Sequence, residues 1–157
     1  MPDTQITELA GRHYLISQLL AGGVEVALPV RDHGIDLIAY VDRIELTGQF
    51  FACPIQLKAN EDARFSLYRK YEKFPNLLMV YAWNVSRESR ALYALTYIEA
   101  EKLLELKGHT KSVSWTKDDG GYTLAANEVW RDTLQPYQMQ PDMWATKILS
   151  TCTSKPA

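Results

Sequence analysis

Apolar residues recur at helical spacing over residues 4–21, where Ile6, Leu9, Ala10, His13, Ile16, Ser17 and Leu20 fall on one stripe that Leu15 and Leu19 widen. This predicts an amphipathic helix capped by Asp3 or Thr4 and ended by Gly22-Gly23, with His13 packed into the core. The pattern then shifts to short apolar runs broken by turn residues. Strands are expected at residues 24–30, 35–41 and 50–59, separated by the turn Arg31-Asp32-His33-Gly34 and by a polar turn at 42–49 that holds Gly48. The second strand is apolar on both faces except at Asp36, as in an interior strand covered on two sides. Pro54 removes a ladder donor from the third and predicts a bulge or an edge there.

Residues 60–75 fit two periods, a strand through Phe65 and Leu67 or a helix through Phe65, Tyr68 and Tyr71; a strand or loop opening followed by an irregular connection is the reading adopted. Buried strands are expected at 76–84 and 90–97, then a helix at 98–107 with Leu103, Leu104 and Leu106 inward and Gly108 as its stop. Asp118-Asp119-Gly120-Gly121 is a strong turn signal, so 112–115 and 121–125 are read as a hairpin. Residues 128–140 are read as partly helical before Pro136, and 143–149 as a short helix. Trp83, Trp115, Trp130 and Trp144 are read as core and interface anchors.

A chain of 157 residues with 46% hydrophobic and 23% charged content fits one α/β domain over residues 1–150 and a flexible tail at 151–157. The net charge of −2 does not mark a strongly basic nucleic-acid-binding domain, although an enzyme can hold DNA through a local patch and a metal. Cys53 reads as a buried small hydrophobe and Cys152 as part of the tail; with no CxxC pair, a reduced, cytoplasmic setting is expected. The amino terminus has no signal-peptide pattern, and no apolar run approaches the roughly 20 residues of a membrane span.

The chemistry concentrates at Asp36, Gln56 and Lys58. Side chains alternate along a strand, so Gln56 and Lys58 leave one face together, and a neighbouring second strand brings Asp36 beside them. Magnesium accepts one or two carboxylates with further oxygen ligands and keeps several waters. A lysine next to it can orient water and stabilise developing negative charge. The trio therefore has the parts for metal-assisted cleavage of a phosphodiester.

The order helix, strand, strand with aspartate, strand with (E/Q)xK resembles the PD-(D/E)xK nuclease superfamily. The resemblance rests on Gly34-Ile35-Asp36-Leu37 and on Pro54-Ile55-Gln56-Leu57-Lys58-Ala59, and it covers residues 5–97. It implies a restriction-endonuclease-like mixed central sheet flanked by helices, with a C-terminal hairpin and helical extension. It also implies a DNA endonuclease-like activity with Mg²⁺ or Mn²⁺, Asp36 and Gln56 as metal ligands, and Lys58 as the residue that positions water. DNA is the expected partner, with no membrane association and a homodimer as an option.

Two positions depart from the family pattern. Gln56 stands where the third-strand carboxylate is usual, as it does in some other members. Arg12 falls where related proteins place a helix-one glutamate, so Glu8, one turn earlier, is the substitute ligand. Arg64, Arg69, Lys70 and Lys73 interleave with Phe65, Tyr68, Tyr71 and Phe74 and are the candidate nucleic-acid contacts. Competing readings stay open. Asp36 and Lys58 could form a structural ion pair, Glu8 and Arg12 an exposed helix pair, and the basic-aromatic stretch one half-buried element. On those terms the chain would be a degenerate nuclease-fold module that binds DNA or a protein without cleaving, or a scaffold or immunity-type partner with no nucleic acid at all.

Overall fold

A computed structural model of the chain describes residues 3–42 and 48–153. Helix α1 (Thr4–Ala21) opens it, with the Asp3 carboxylate accepting from the Gln5 amide as its cap. The strands β1 (Glu25–Ala27), β2 (Leu37–Asp42) and β3 (Phe50–Ala59) follow as an antiparallel meander. A crossover made of β4 (Arg64–Tyr68) and a 3₁₀ turn (Arg69–Lys73) returns the chain to β5 (Leu78–Trp83), parallel to β3, and β6 (Ala91–Thr96) pairs antiparallel to it. The result is a mixed five-stranded sheet in the order β1-β2-β3-β5-β6. Helices α2 (Tyr97–Leu106), α3 (Val113–Thr116), α4 (Glu128–Leu134) and α5 (Trp144–Thr153) complete the α/β architecture, and β7 (Gly121–Ala125) pairs with β4 in a separate two-stranded sheet.

Alternation along β5 divides the interior in two. Leu78, Val80 and Ala82 face α1 and α5, packing with Leu15, Leu19, Trp144 and Ile148. Met79, Tyr81 and Trp83 face the crossover and α2–α4, packing with Phe65, Leu67, Leu104, Trp115 and Trp130. Phe65 stacks between Tyr81 and Trp130 with ring centroids 4.7 and 5.1 Å away. All four tryptophans are buried, as core anchors. No helix among the described residues is long and apolar enough to cross a membrane.

The limits of α1 and β3 match those expected from the pattern. The face of α1 does not. Thr7, Gly11, Leu15 and Leu19 are buried, whereas Ile6, Leu9 and Leu20 are exposed and His13 lies on the solvent side. The cause is the close approach of the helix to β3: a Cβ on Gly11 would lie 2.5 Å from the Cβ of Ala59, so the glycine stripe is the one that docks. β1 is shorter than expected, because Leu28 and Val30 are exposed and find no ladder. Pro54 stays within β3, one residue before pairing with β5 begins at Ile55.

The expected hairpin is absent among the described residues. Ser112 caps a helical turn by accepting from the Trp115 amide, Trp115 turns into the core, and β7 pairs with the distant β4. Leu106, expected inward, is exposed at the end of α2, whose start is fixed by a capping box between Thr96 and Glu99. Helix α5 extends to Thr153, with Thr151 buried, so the ordered chain reaches into the stretch expected as tail. Most of the polar turn expected at 42–49 lies outside the described residues.

Candidate functional site

Of the residues singled out from sequence, Asp36, Gln56, Lys58, Glu8, Arg64 and Lys70 converge on one cavity of about 490 Å³. α1 lends Glu8 and Arg12, the turn before β2 lends Asp32, Gly34 and Asp36, and the end of β3 lends Gln56 and Lys58. β4 and the 3₁₀ turn close the other wall with Arg64, Ser66, Tyr68, Lys70 and Tyr71.

Asp36 sits one residue before β2, and its backbone amide already donates to Ile55 of β3 at 2.8 Å. Gly34 makes that entry possible. It adopts φ +91°, a conformation that side chains resist, and its amide donates to the Asp32 carboxylate at 2.9 Å in an Asx turn. From this position one Asp36 oxygen, Oδ2, accepts two hydrogen bonds, from the Leu57 amide at 2.7 Å and from Gln56 Nε2 at 2.8 Å.

Gln56 is 6% exposed, and its amide nitrogen also donates to the Leu57 carbonyl at 3.3 Å. The reverse orientation of the amide would set two acceptors face to face, so the donors fix it. Gln56 Oε1 is thereby left shielded from solvent with no hydrogen-bond partner. A buried carbonyl oxygen without a donor is uncommon, and an ordered water or a bound ion is the usual partner of one.

Lys58 follows two residues later on the same face and donates through Nζ to the Tyr71 hydroxyl at 3.3 Å. It forms no ion pair with Asp36 within 4.0 Å; the described residues contain two ion pairs, Arg64–Asp62 and Lys147–Glu99. The structural pair considered from sequence is thus not formed as a direct contact. Glu8 and Arg12 both line the cavity and are likewise not paired with each other. The Nε of Arg12 is buried without a partner.

Burial pushes the Asp36 carboxyl above its usual range, and the nearby Asp32 charge adds to this. The Leu57 amide, Lys58 and Arg12 oppose the shift. A cation bound next to Asp36 would favour the ionised form further. Burial likewise raises the Tyr71 hydroxyl, which stays a neutral partner for Lys58.

The four candidate nucleic-acid contacts separate in space. Arg64 and Lys70 line the cavity, Arg64 from the rim with its guanidinium on Asp62 at 2.9 Å. Arg69 turns away to the Trp115 carbonyl at 3.4 Å, and Lys73 lies over the Phe74 ring at 5.1 Å; neither lines the cavity. Tyr68 and Tyr71, two of the rings interleaved with the basic residues, also line the cavity, as does Ser66, for which the sequence offered no role. The alternation of basic and aromatic residues over 64–74 was the available signal.

Among the described residues no group of three or more histidine, cysteine, aspartate or glutamate side chains is placed to hold a metal. Comparison with protein-family models, with curated proteins and with solved structures gave no match to this chain.

Proposed function

We propose that the protein is a metal-dependent phosphodiesterase of the restriction-endonuclease-like type, acting on DNA, with its site at Asp36, Gln56 and Lys58. The observation that carries this reading is the orphaned, buried Oε1 of Gln56 beside the Asp36 carboxylate, with Lys58 two residues along the same strand face. A carboxylate and an amide carbonyl form a sparse but acceptable oxygen set for Mg²⁺ or Mn²⁺, which retain water as further ligands. Bound there, the cation would lower the pKa of a water and neutralise charge on the phosphate.

The chain's own residues have separable tasks. The Leu57 amide and Gln56 Nε2 orient the Asp36 carboxylate. Lys58, held by Tyr71, supplies a positive charge for the oxyanion that develops on phosphorus. Arg64 and Lys70 line the approach and can bind backbone phosphates. Glu8 also lines the cavity and is available as a further ligand through water. The test is cleavage of single- and double-stranded DNA in Mg²⁺ or Mn²⁺. Asp36→Ala and Lys58→Ala should each reduce the rate at least about 100-fold, as loss of a group acting on the transition state does. Undiminished cleavage by both variants would rule out this site.

Arg12 favours a second reading. A cation in the place where related nucleases carry a glutamate suits a module that binds DNA, or a partner, without cutting it. Salt-sensitive DNA retention with no cleavage in either metal would select that reading.

A further inference from the structure

Four cations, Arg12, Lys58, Arg64 and Lys70, line the cavity against three carboxylates, Glu8, Asp32 and Asp36. Arg12, Lys58 and Lys70 line it, and none lies within 4.0 Å of a described carboxylate. Lys58 and Lys70 share the same two aromatic rings. Lys58 Nζ is 5.6 Å from the Tyr68 centroid and 5.3 Å from that of Tyr71; Lys70 Nζ is 5.8 and 5.1 Å from them. Two ammonium groups gathered round one pair of rings repel each other. Cation–π attraction offsets part of that, but no carboxylate among the described residues bridges them. The third group, Arg12, keeps a buried Nε with no acceptor. Asp36 compensates them only at longer range: its Oδ2 is engaged by Gln56 and Leu57, and it forms no ion pair with Arg12 or either lysine within 4.0 Å. An anion with several acceptor oxygens would satisfy all three cations at once.

We propose that Arg12, Lys58 and Lys70 form a binding site for a phosphate monoester, which the cavity takes without any metal. A monoester carries between one and two negative charges near neutral pH and three terminal acceptor oxygens. An internal phosphodiester carries one charge and two such oxygens. The three cations therefore distinguish a phosphorylated strand end from an uninterrupted backbone. The cavity volume of about 490 Å³ admits a terminal nucleotide as well as free phosphate. The inference rests on the nuclease reading for the source of the monoester, a DNA end, and deepens it by naming the feature selected. The phosphate site itself stands on the shared lining of Arg12, Lys58 and Lys70 and on the gathering of the two lysines round Tyr68 and Tyr71.

The experiment measures binding in EDTA of three probes to the full chain: a 5′-phosphorylated oligonucleotide, the same strand with hydroxyl ends, and inorganic phosphate, with a 3′-phosphorylated strand as a further arm. One phosphorylated strand should bind at least about 10-fold more tightly than the hydroxyl strand, and inorganic phosphate should compete with it. Arg12→Ala should remove the preference and Arg12→Lys should keep part of it. Lys70→Ala, at an exposed position that leaves folding intact, should weaken it independently. If inorganic phosphate binds and no strand does better, the monoester site stands and its source is a small phosphate. Equal binding of phosphorylated and hydroxyl strands with no competition by phosphate overturns the proposal. Failure to cleave DNA in Mg²⁺ with the phosphate preference intact would remove the nuclease reading alone.

Discussion

Replacing Gln56 by glutamate sets two acids in direct contact. In the native chain Gln56 Nε2 donates to Asp36 Oδ2 at 2.8 Å, and Gln56 is 6% exposed. Gln56→Glu removes a hydrogen bond to a charged acceptor, worth about 1.5–3 kcal/mol, and adds repulsion between two shielded carboxylates. At about 2–4 °C per kcal/mol for a chain of this size, the metal-free variant should melt about 3–12 °C lower near pH 8. The pair must share a proton to be tolerated, so its folded pKa lies above the unfolded value near 4.3. A group with a raised folded pKa stabilises below its unfolded pKa and loses that contribution as pH rises through the folded pKa. The deficit should therefore be small near pH 5, where the introduced carboxyl, once protonated, can donate to Asp36 as the amide did, and should grow toward pH 8. Mg²⁺ or Mn²⁺ should recover more stability in the variant than in the native protein, because the added charge strengthens the site. Thermal melts across this pH range, in EDTA and in each metal, measure all three effects. A variant that melts with the native protein in EDTA at pH 8, or a deficit that shrinks as pH rises, would refute the reasoning.

Three further outcomes follow from contacts elsewhere. Gly11→Ala should lower the melting temperature, because an overpacking cost of about 1–3 kcal/mol against Ala59 outweighs a helix-propensity gain of about 1 kcal/mol; adding Ala59→Gly should restore it, and a single variant more stable than the native chain would contradict the docking described. Tyr71→Phe removes the hydroxyl that holds Lys58 and should change stability by no more than about 1.5 kcal/mol while lowering the rate of DNA cleavage; an unchanged rate would show that the contact does not position the lysine. Cys53 is fully buried and Cys152 partly exposed, so a thiol reagent should modify one cysteine quickly in the native protein and two after unfolding; two fast thiols would contradict the packing of β3 under α5.

The parts of the fold written in local pattern were legible. β3 could be bounded from its apolar run, and Gly22-Gly23 marked the end of α1. Gln56 and Lys58 could be placed on one face because strand alternation is strict, and Gly34 prepared the position of Asp36. The face that α1 buries was not legible, since its docking stripe holds Thr7 and Gly11, chosen for close approach to β3 and not for hydrophobicity. The pairing of β7 with β4 was hidden as well. The turn signal at 118–121 is real, but Ser112 had already committed the preceding residues to a helical turn. Within the site, adjacency of Asp36 and Gln56 was expected, whereas their direct hydrogen bond was not. An ionised carboxylate only accepts, so such a bond must run from Gln56 Nε2, but that the two side chains meet depends on the tertiary setting of the Leu57 amide and carbonyl. The grouping of Lys58 and Lys70 over Tyr68 and Tyr71 needed the 3₁₀ turn, whose geometry neither a period of two nor one of 3.6 encodes.

The most direct test of the central claim is anomalous diffraction from crystals soaked in Mn²⁺, with Asp36→Asn as the control. A manganese peak in contact with the Asp36 carboxylate and the Gln56 carbonyl oxygen is expected, absent from the variant. A native crystal saturated with Mn²⁺ that shows no peak there, with Gln56 still donating to Asp36, would contradict that claim.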